Sequence, residues 1–128
     1  MATILVIDDL EGVQRYFVKM LTDDGHTVLT ADNGVKGTEL AQNPDVQLIL
    51  TDLMMPGELS EIELVKKLRE LRPECPIIVC SGYPTQDRIL ECEQLGIIDF
   101  LSKPFEIAYI KPIIERLLNE STPDINNG

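Results

Sequence analysis

The sequence has few of the residues that would indicate a disulfide framework or a zinc site. It contains three cysteines, Cys75, Cys80 and Cys92, and a single histidine, His26. Three is an odd number and no two of these cysteines form a CxxC pair, so neither paired disulfides nor a structural zinc site is predicted. We expect the cysteines to be buried or idle thiols and His26 to lie in a surface turn.

Basic residues are also scarce. Lysine and arginine number 11 against 22 aspartates and glutamates, which gives a formal net charge of −11. Nucleic acids and anionic membranes are bound through basic patches, so direct binding to either is not expected. An acidic surface is compatible with a cation ligand or with a partly basic protein partner.

Long apolar runs are absent. No stretch approaches the roughly 18 apolar residues of a membrane span, and residues 1–7 lack the basic region of a signal peptide and run directly into acids. We therefore expect a cytoplasmic protein. The length of 128 residues favours one domain. We assign it to residues 1–120, with 121–128, which are rich in asparagine, proline and glycine, as a flexible tail or the start of a linker.

Short apolar stretches alternate with segments of helical periodicity. Strands are predicted at 3–7, 27–30, 47–51, 77–80 and 97–101. Helices are predicted from Leu10, from a cap at Asp32 or Asn33 through Gln42, after a capping box at Ser60, over 85–94, and along an apolar stripe from Ile107. This alternation indicates an α/β fold, a parallel sheet with helices on both faces.

Proline 112 interrupts the last predicted helix. An interior proline removes a hydrogen bond and costs about 3 kcal/mol. The sequence therefore predicts either that regular helix begins near Tyr109 to Lys111 or that the helix is kinked there.

Polar residues stand at the predicted strand ends. Asp8 and Asp9 follow the first strand, Asp52 the third, Ser81 the fourth and Lys103 the fifth. In the strand order 2-1-3-4-5 the first and third strands are neighbours, so the acids share one crevice. A pair of carboxylates 4 Å apart repels by about 4 kcal/mol at an effective dielectric constant of 20, which calls for a cation. Hard oxygen ligands suit Mg²⁺.

These residue types together can carry phosphoryl transfer. Asp52 offers a carboxylate nucleophile, the metal and Lys103 offer positive charge for the phosphoryl oxygens, and Ser81 offers a hydroxyl donor.

The chain resembles the receiver domains of two-component response regulators over roughly residues 3–120. The resemblance is carried by four motifs in this order: Asp8-Asp9, Asp52 followed by Met54, Met55 and Pro56, Ser81-Gly82, and Lys103-Pro104-Phe105. It implies a five-stranded parallel sheet of order 2-1-3-4-5 with five helices on both faces, the flavodoxin-like, CheY-like arrangement.

The resemblance also implies a function. Asp52 would accept a phosphoryl group from a histidine kinase or phosphotransfer protein, with Mg²⁺ held by Asp8, Asp9 and Asp52. Ser81 and Phe100 would change position together upon phosphorylation. The face made of the fourth helix, fifth strand and fifth helix would then bind an output protein or a fused output domain.

Further details follow from the same resemblance. Met54 and Tyr83 match variable positions that tune the lifetime of the phosphate. The domain would be a signalling module rather than an enzyme, although it contributes to its own phosphorylation and dephosphorylation. Ser60 departs from the family, which has glycine there, and the loop before it is one residue longer. We expect an altered loop and an intact fold.

Each motif also has an ordinary structural interpretation. Asp8 and Asp9 could cap the first helix, Lys103 could be a solvated loop residue, and Ser81 an ordinary strand-end residue. Phe100 could be simple core, and Met54 and Tyr83 could serve loop packing.

Three other functions remain open on the sequence alone. A phosphatase of the haloacid dehalogenase type also uses an aspartate nucleophile, but it needs an acid two residues later, where Met54 stands. A flavodoxin-like cofactor module would bind a phosphate dianion in its first loop, where Asp8, Asp9 and Glu11 would repel it. The third is a receiver-like scaffold that binds partners without phosphorylation.

Overall fold

The computed structural model describes residues 2–53, 61–82, 85–97, 99–102 and 107–121. Strands and helices alternate along these residues as the sequence predicts. In chain order they are β1 (Thr3–Ile7), α1 (Glu11–Asp23), β2 (Thr27–Ala31), α2 (Gly34–Ala41), β3 (Val46–Asp52), α3 (Glu61–Leu71), β4 (Ile77–Ser81), α4 (Gln86–Gln94), β5 (Asp99–Ser102) and α5 (Ile107–Ser121).

The strands form one sheet of order β2-β1-β3-β4-β5. Every neighbouring pair is parallel. The predicted fold class and strand order are therefore confirmed, and β1 and β3 are neighbours. Their register pairs Ile7 with Thr51, so the residues that follow them, Asp8 and Asp52, lie at the same level at the ends of the two strands.

Both faces of the sheet are covered. One apolar cluster joins the strands to α2, α3 and α4, and it includes Leu5 and Ile7 of β1. The other joins them to α1 and α5, and it includes Ile4 and Val6. These four residues alternate between the faces, and none is more than 1% exposed. Burial on both faces explains why the strands have unbroken apolar sequences.

Side chains cap two of the helices, and one of them, Asn33, is a predicted cap. The Asn33 side chain accepts a hydrogen bond from the Lys36 N–H at 2.8 Å and begins α2. Thr85 does the same for α4 through the Arg88 N–H at 3.3 Å. Gly25 and Gly96, with φ of 88° and 81°, follow α1 and α4 in the left-handed conformation that glycine adopts without strain.

The predicted start of the fifth strand is wrong. The prediction placed it at Ile97, whereas β5 begins at Asp99. The Ile97 N–H donates to the Cys92 carbonyl at 2.9 Å, so it closes the last turn of α4 and is not available to the sheet. Its side chain is 1% exposed, which accounts for its apolar character without a strand.

Helix α5 runs through Pro112, so the alternative in which it starts near Tyr109 to Lys111 is wrong. Proline deprives the helix of one hydrogen bond, but Ile110 and Ile114 on either side are buried against the sheet. Burial of each contributes about 1.5–3 kcal/mol, enough to offset the proline. At 15 residues α5 is the longest described helix, and none of these helices has the length and apolar character that a membrane crossing requires.

Candidate functional site

Three carboxylates meet at the carboxyl edge of the sheet, where β1 and β3 end. Asp8, Asp9 and Asp52 each place one carboxylate oxygen within 4.8 Å of the other two. Asp8 and Asp52 are 3% and 6% exposed, and Asp9 is the most accessible of the three. The parallel register of β1 and β3 thus brings together the acids that the sequence predicts at this edge.

Asp8 is held from three sides. Its N–H donates to the Ala31 carbonyl at 3.0 Å, which extends the pairing of β1 with β2. Its Oδ1 accepts from the Leu10 N–H at 3.0 Å, and its carbonyl accepts from the side-chain amide of Gln14. The first residue outside α1 is Leu10, which makes no side-chain cap. Neither Asp8 nor Asp9 is therefore the N-cap residue of this helix, which argues against the capping interpretation of the acidic pair.

The three acids suit a hard divalent cation. Carboxylates about 5 Å apart repel by about 3 kcal/mol per pair at an effective dielectric constant of 20, so positive charge between them is stabilising. Two oxygens on opposite sides of Mg²⁺ are about 4.2 Å apart. The three donors are all carboxylate oxygens, and they lie within 4.8 Å of one another. The donor chemistry of Asp8, Asp9 and Asp52 therefore fits Mg²⁺, and the three side chains are close enough together to share one ion.

Ser81 lies beside the acidic cluster along the sheet edge. It is the last residue of β4 and is fully buried. The register pairs Asp52 with Cys80, so Ser81 lies one residue further along than Asp52. Its partner on β5 is Ser102, the residue that precedes Lys103 in the sequence.

Phe100 is partly buried on β5. It packs against the apolar cluster on the α2, α3 and α4 side of the sheet. It is paired with Val79 of β4, two residues before Ser81. The two residues of the predicted switch therefore lie on neighbouring strands, two positions apart in register.

Three of the predicted site residues, Lys103, Met54 and Tyr83, lie outside the described residues. The same holds for Ser60, the position at which the chain departs from the family pattern, and for Pro104 and Phe105 of the last motif.

Gln14 is a contact of the acidic pair that the sequence did not reveal. The helical period places it on the polar side of α1 with Glu11 and Arg15. In the structure its amide Nε2 donates to the carbonyls of Asp8 and Ala31. Its spacing from Asp9 matches no common motif, so only the three-dimensional arrangement identifies it.

Comparison with known proteins identifies the family. The family model described as "Response regulator receiver domain" matches residues 4–115. "DNA-binding transcriptional regulator NtrC" of Azospirillum brasilense is 32% identical over 122 residues, covering 95% of this chain and 25% of that protein. "Sporulation initiation phosphotransferase F" of Bacillus subtilis (strain 168) is 26% identical over 115 residues, covering 90% of this chain and 92% of that protein.

Solved structures share the fold. A CheY-like response regulator receiver domain protein from Methanospirillum hungatei JF-1 superimposes with a TM-score of 0.89 at 24% identity, over 94% of this chain and 96% of that one. A receiver domain protein from Clostridium thermocellum gives 0.85 at 26% identity, over 94% and 96%. The chain spans only about a quarter of the first curated relatives that it matches. It belongs to the family of response regulator receiver domains of two-component systems.

Proposed function

We propose that Asp52 accepts a phosphoryl group from a phosphohistidine of a sensor histidine kinase or phosphotransfer protein, with Mg²⁺ held by Asp8, Asp9 and Asp52. The observation that carries this proposal is the meeting of three carboxylates within 4.8 Å at the carboxyl edge of the sheet, in a chain of the receiver family. Among its relatives, one is named as a phosphotransferase.

The reaction is a direct transfer. A carboxylate oxygen of Asp52 attacks phosphorus, the bond from phosphorus to the imidazole nitrogen breaks, and the electron pair stays on that nitrogen. Asp52 becomes an acyl phosphate. Mg²⁺ supplies charge neutralisation on the phosphoryl oxygens. Lys103 adds a second positive charge and Ser81 donates its hydroxyl to a phosphoryl oxygen.

Phosphorylation would act on partners through a face of the domain. In the proposed switch, Ser81 and Phe100 change position together when Asp52 is phosphorylated, and the face made of α4, β5 and α5 changes its affinity for a partner. Met54 and Tyr83 would set how long the phosphate survives.

The output would be a separate protein or a fused domain. The matched segment covers between about a quarter and a half of the transcriptional regulators NtrC, GlrR and CusR, but 92% of the phosphotransferase. We assign the receiver to residues 1–120 and a tail or linker start to 121–128. The free, buried cysteines are compatible with a reducing compartment, and we place the domain in the cytoplasm.

Intact mass measurement after incubation with acetyl phosphate and MgCl₂ tests the proposal. We expect one added phosphate on the wild type and none without divalent metal or in Asp52→Asn. Asp45→Asn is the matched control, because Asp45 is an exposed acid at the opposite edge of the sheet and should leave uptake unchanged. A wild type that takes no phosphate would favour the receiver-like scaffold.

Membership of the receiver family favours this function over the other two candidates, an aspartate-dependent phosphatase and a flavodoxin-like cofactor module. Turnover of a small phosphate ester beyond one equivalent of protein would favour the phosphatase instead.

A further inference from the structure

We propose that Gln14 is a positioning residue that fixes the peptide group between Asp8 and Asp9, and through it the direction of the Asp9 carboxylate. The inference rests on the proposed Mg²⁺ site and concerns how this chain holds the ligands of that site.

The Gln14 side chain bridges the ends of two strands. Its Nε2 donates to the Asp8 carbonyl at 2.5 Å and lies 3.5 Å from the Ala31 carbonyl. Ala31 is the last residue of β2, and its carbonyl also accepts the N–H of Asp8 at 3.0 Å. The amide therefore ties α1 to the point where β1 leaves the sheet.

The chemistry of these contacts requires a donor at position 14. Both neighbours are carbonyl oxygens, which accept hydrogen bonds, and a primary amide offers two N–H groups on one nitrogen. An apolar side chain would leave the Asp8 carbonyl without this donor, and a carboxylate would repel it.

Fixing the Asp8 carbonyl also fixes Asp9. The carbonyl of Asp8 and the N–H of Asp9 belong to one planar peptide group, so an anchor on the oxygen sets the plane from which Asp9 projects. Asp8 is buried and has further contacts through its N–H and its carboxylate, whereas Asp9 is the most accessible of the three acids. Fewer packed neighbours restrain Asp9, so the peptide plane has the larger influence on it.

Outer contacts of this kind change metal affinity by about 10–100-fold when they are removed. We expect Gln14→Met, which matches glutamine in length and charge but has no donor, to raise the Kd for Mg²⁺ about tenfold. The matched control is Gln94→Met, since Gln94 is an exposed residue at the far end of α4, and its Kd should equal that of the wild type.

Two measurements separate positioning from simple stabilisation. The Kd for MgCl₂ is taken from amide chemical shifts in an NMR titration, and the thermal unfolding midpoint is taken without metal. We expect Gln14→Met to lose affinity at a temperature well below unfolding, where it is fully folded. A lower unfolding midpoint with an unchanged Kd would overturn the inference.

A metal-free readout makes the test independent of the proposed function. In Gln14→Met, hydrogen exchange should accelerate at the Leu10 amide, which donates to the Asp8 carboxylate, and at the Asp8 amide. Gln14→Arg, which keeps a donor, should restore slow exchange. A wild type that fails to bind Mg²⁺ would refute the proposed metal site, while unchanged exchange in Gln14→Met would refute the role of Gln14.

Discussion

Gly37 of α2 lies directly against Ile7 of β1. A Cβ atom built at Gly37 would stand 2.6 Å from the Ile7 Cδ1 atom, 3.0 Å from Cγ1 and 3.2 Å from Cγ2. Ile7 is completely buried between the sheet and the helix layer, so its side chain has little room to withdraw. The close packing of α2 on β1, the strand that precedes Asp8, therefore requires a residue without a side chain at position 37.

Gly37→Ala should destabilise the protein. Alanine favours the helix by about 1 kcal/mol over glycine, but overpacking a closed core costs about 1–3 kcal/mol. The net effect is a loss of up to about 2 kcal/mol in the free energy of unfolding, measured by urea denaturation.

Gly12→Ala is the control for helix propensity. Gly12 lies in the first turn of α1, is exposed, and a Cβ there would meet nothing within 4 Å. This substitution should raise the free energy of unfolding by about 0.5–1 kcal/mol. Equal effects at both glycines would contradict the close packing of α2 on β1.

Arg72 binds three backbone carbonyls at the amino edge of the sheet. Its guanidinium donates to the carbonyls of Ala41 and Asn43 at 3.0 Å and of Val46 at 2.6 Å. Arg72→Met keeps the apolar stem and removes these donors. We expect a loss of about 2–3 kcal/mol in the free energy of unfolding, because partly buried carbonyls lose charged partners.

Arg15→Met is the matched control for Arg72→Met. Arg15 pairs with Glu11 one turn earlier on α1, and both side chains are about three-quarters exposed. Exposed ion pairs of this spacing contribute little to stability, so the free energy of unfolding should change by no more than about 0.5 kcal/mol. A loss as large as that of Arg72→Met would show that charge, not the carbonyl contacts, is responsible.

Cys92 makes stability depend on pH in the alkaline range. Burial and, to a smaller extent, the negative charge of the nearby Glu91 together raise the pKa of the thiol from 9.0 to about 11. Between pH 9 and 11 the Cys92 thiol ionises in the unfolded chain but stays neutral in the folded chain. Its contribution to the free energy of unfolding is therefore complete below pH 9 and is lost as pH rises towards 11.

The comparison of the wild type with Cys92→Ala isolates this effect. The difference between their free energies of unfolding should shrink by about 2 kcal/mol from pH 8 to pH 10.5, measured by urea denaturation at each pH. A difference that stays constant would mean that the Cys92 thiol titrates alike in both states.

Local patterns predicted much of the fold because the signals lie within a few residues. β1 is an apolar run with the predicted bounds, and Asn33, one of the two predicted caps, caps α2 through its own side chain. The meeting of Asp8, Asp9 and Asp52 was also predictable, since parallel strands end at a common edge and the strand order follows from the family pattern.

Contacts between distant residues were not predictable in the same way. The sequence of α2 does not show why position 37 is glycine, because the contact that excludes a side chain there is with Ile7, a residue of another element. Ile97 is buried like a strand residue but closes the turn after α4, and apolar character alone does not separate the two. The role of Gln14 could not be predicted from its position on the polar side of α1, because its partners are the carbonyls of Asp8 and Ala31, which follow β1 and end β2.

The charge of Asp9 should destabilise the metal-free protein and stabilise the metal-bound one. Without divalent metal, Asp9→Asn removes one charge from a group of three carboxylates within 4.8 Å. Because Asp9 is accessible and its charge is screened by water, we expect a gain of about 1 kcal/mol in the free energy of unfolding.

With Mg²⁺ the order should reverse. A ligand at 100 times its Kd stabilises the folded state by about 2.7 kcal/mol, so saturating MgCl₂ should raise the wild-type unfolding midpoint. Asp9→Asn removes one of the three proposed ligands and should show little rise, whereas Asp45→Asn should respond as the wild type does. Thermal unfolding of the three proteins in EDTA and in MgCl₂ measures both effects. An acid that shares a cation with Asp8 and Asp52 must repel them when the cation is removed. If Asp9→Asn is neither more stable in EDTA nor less responsive to Mg²⁺, Asp9 is therefore not part of the proposed metal site.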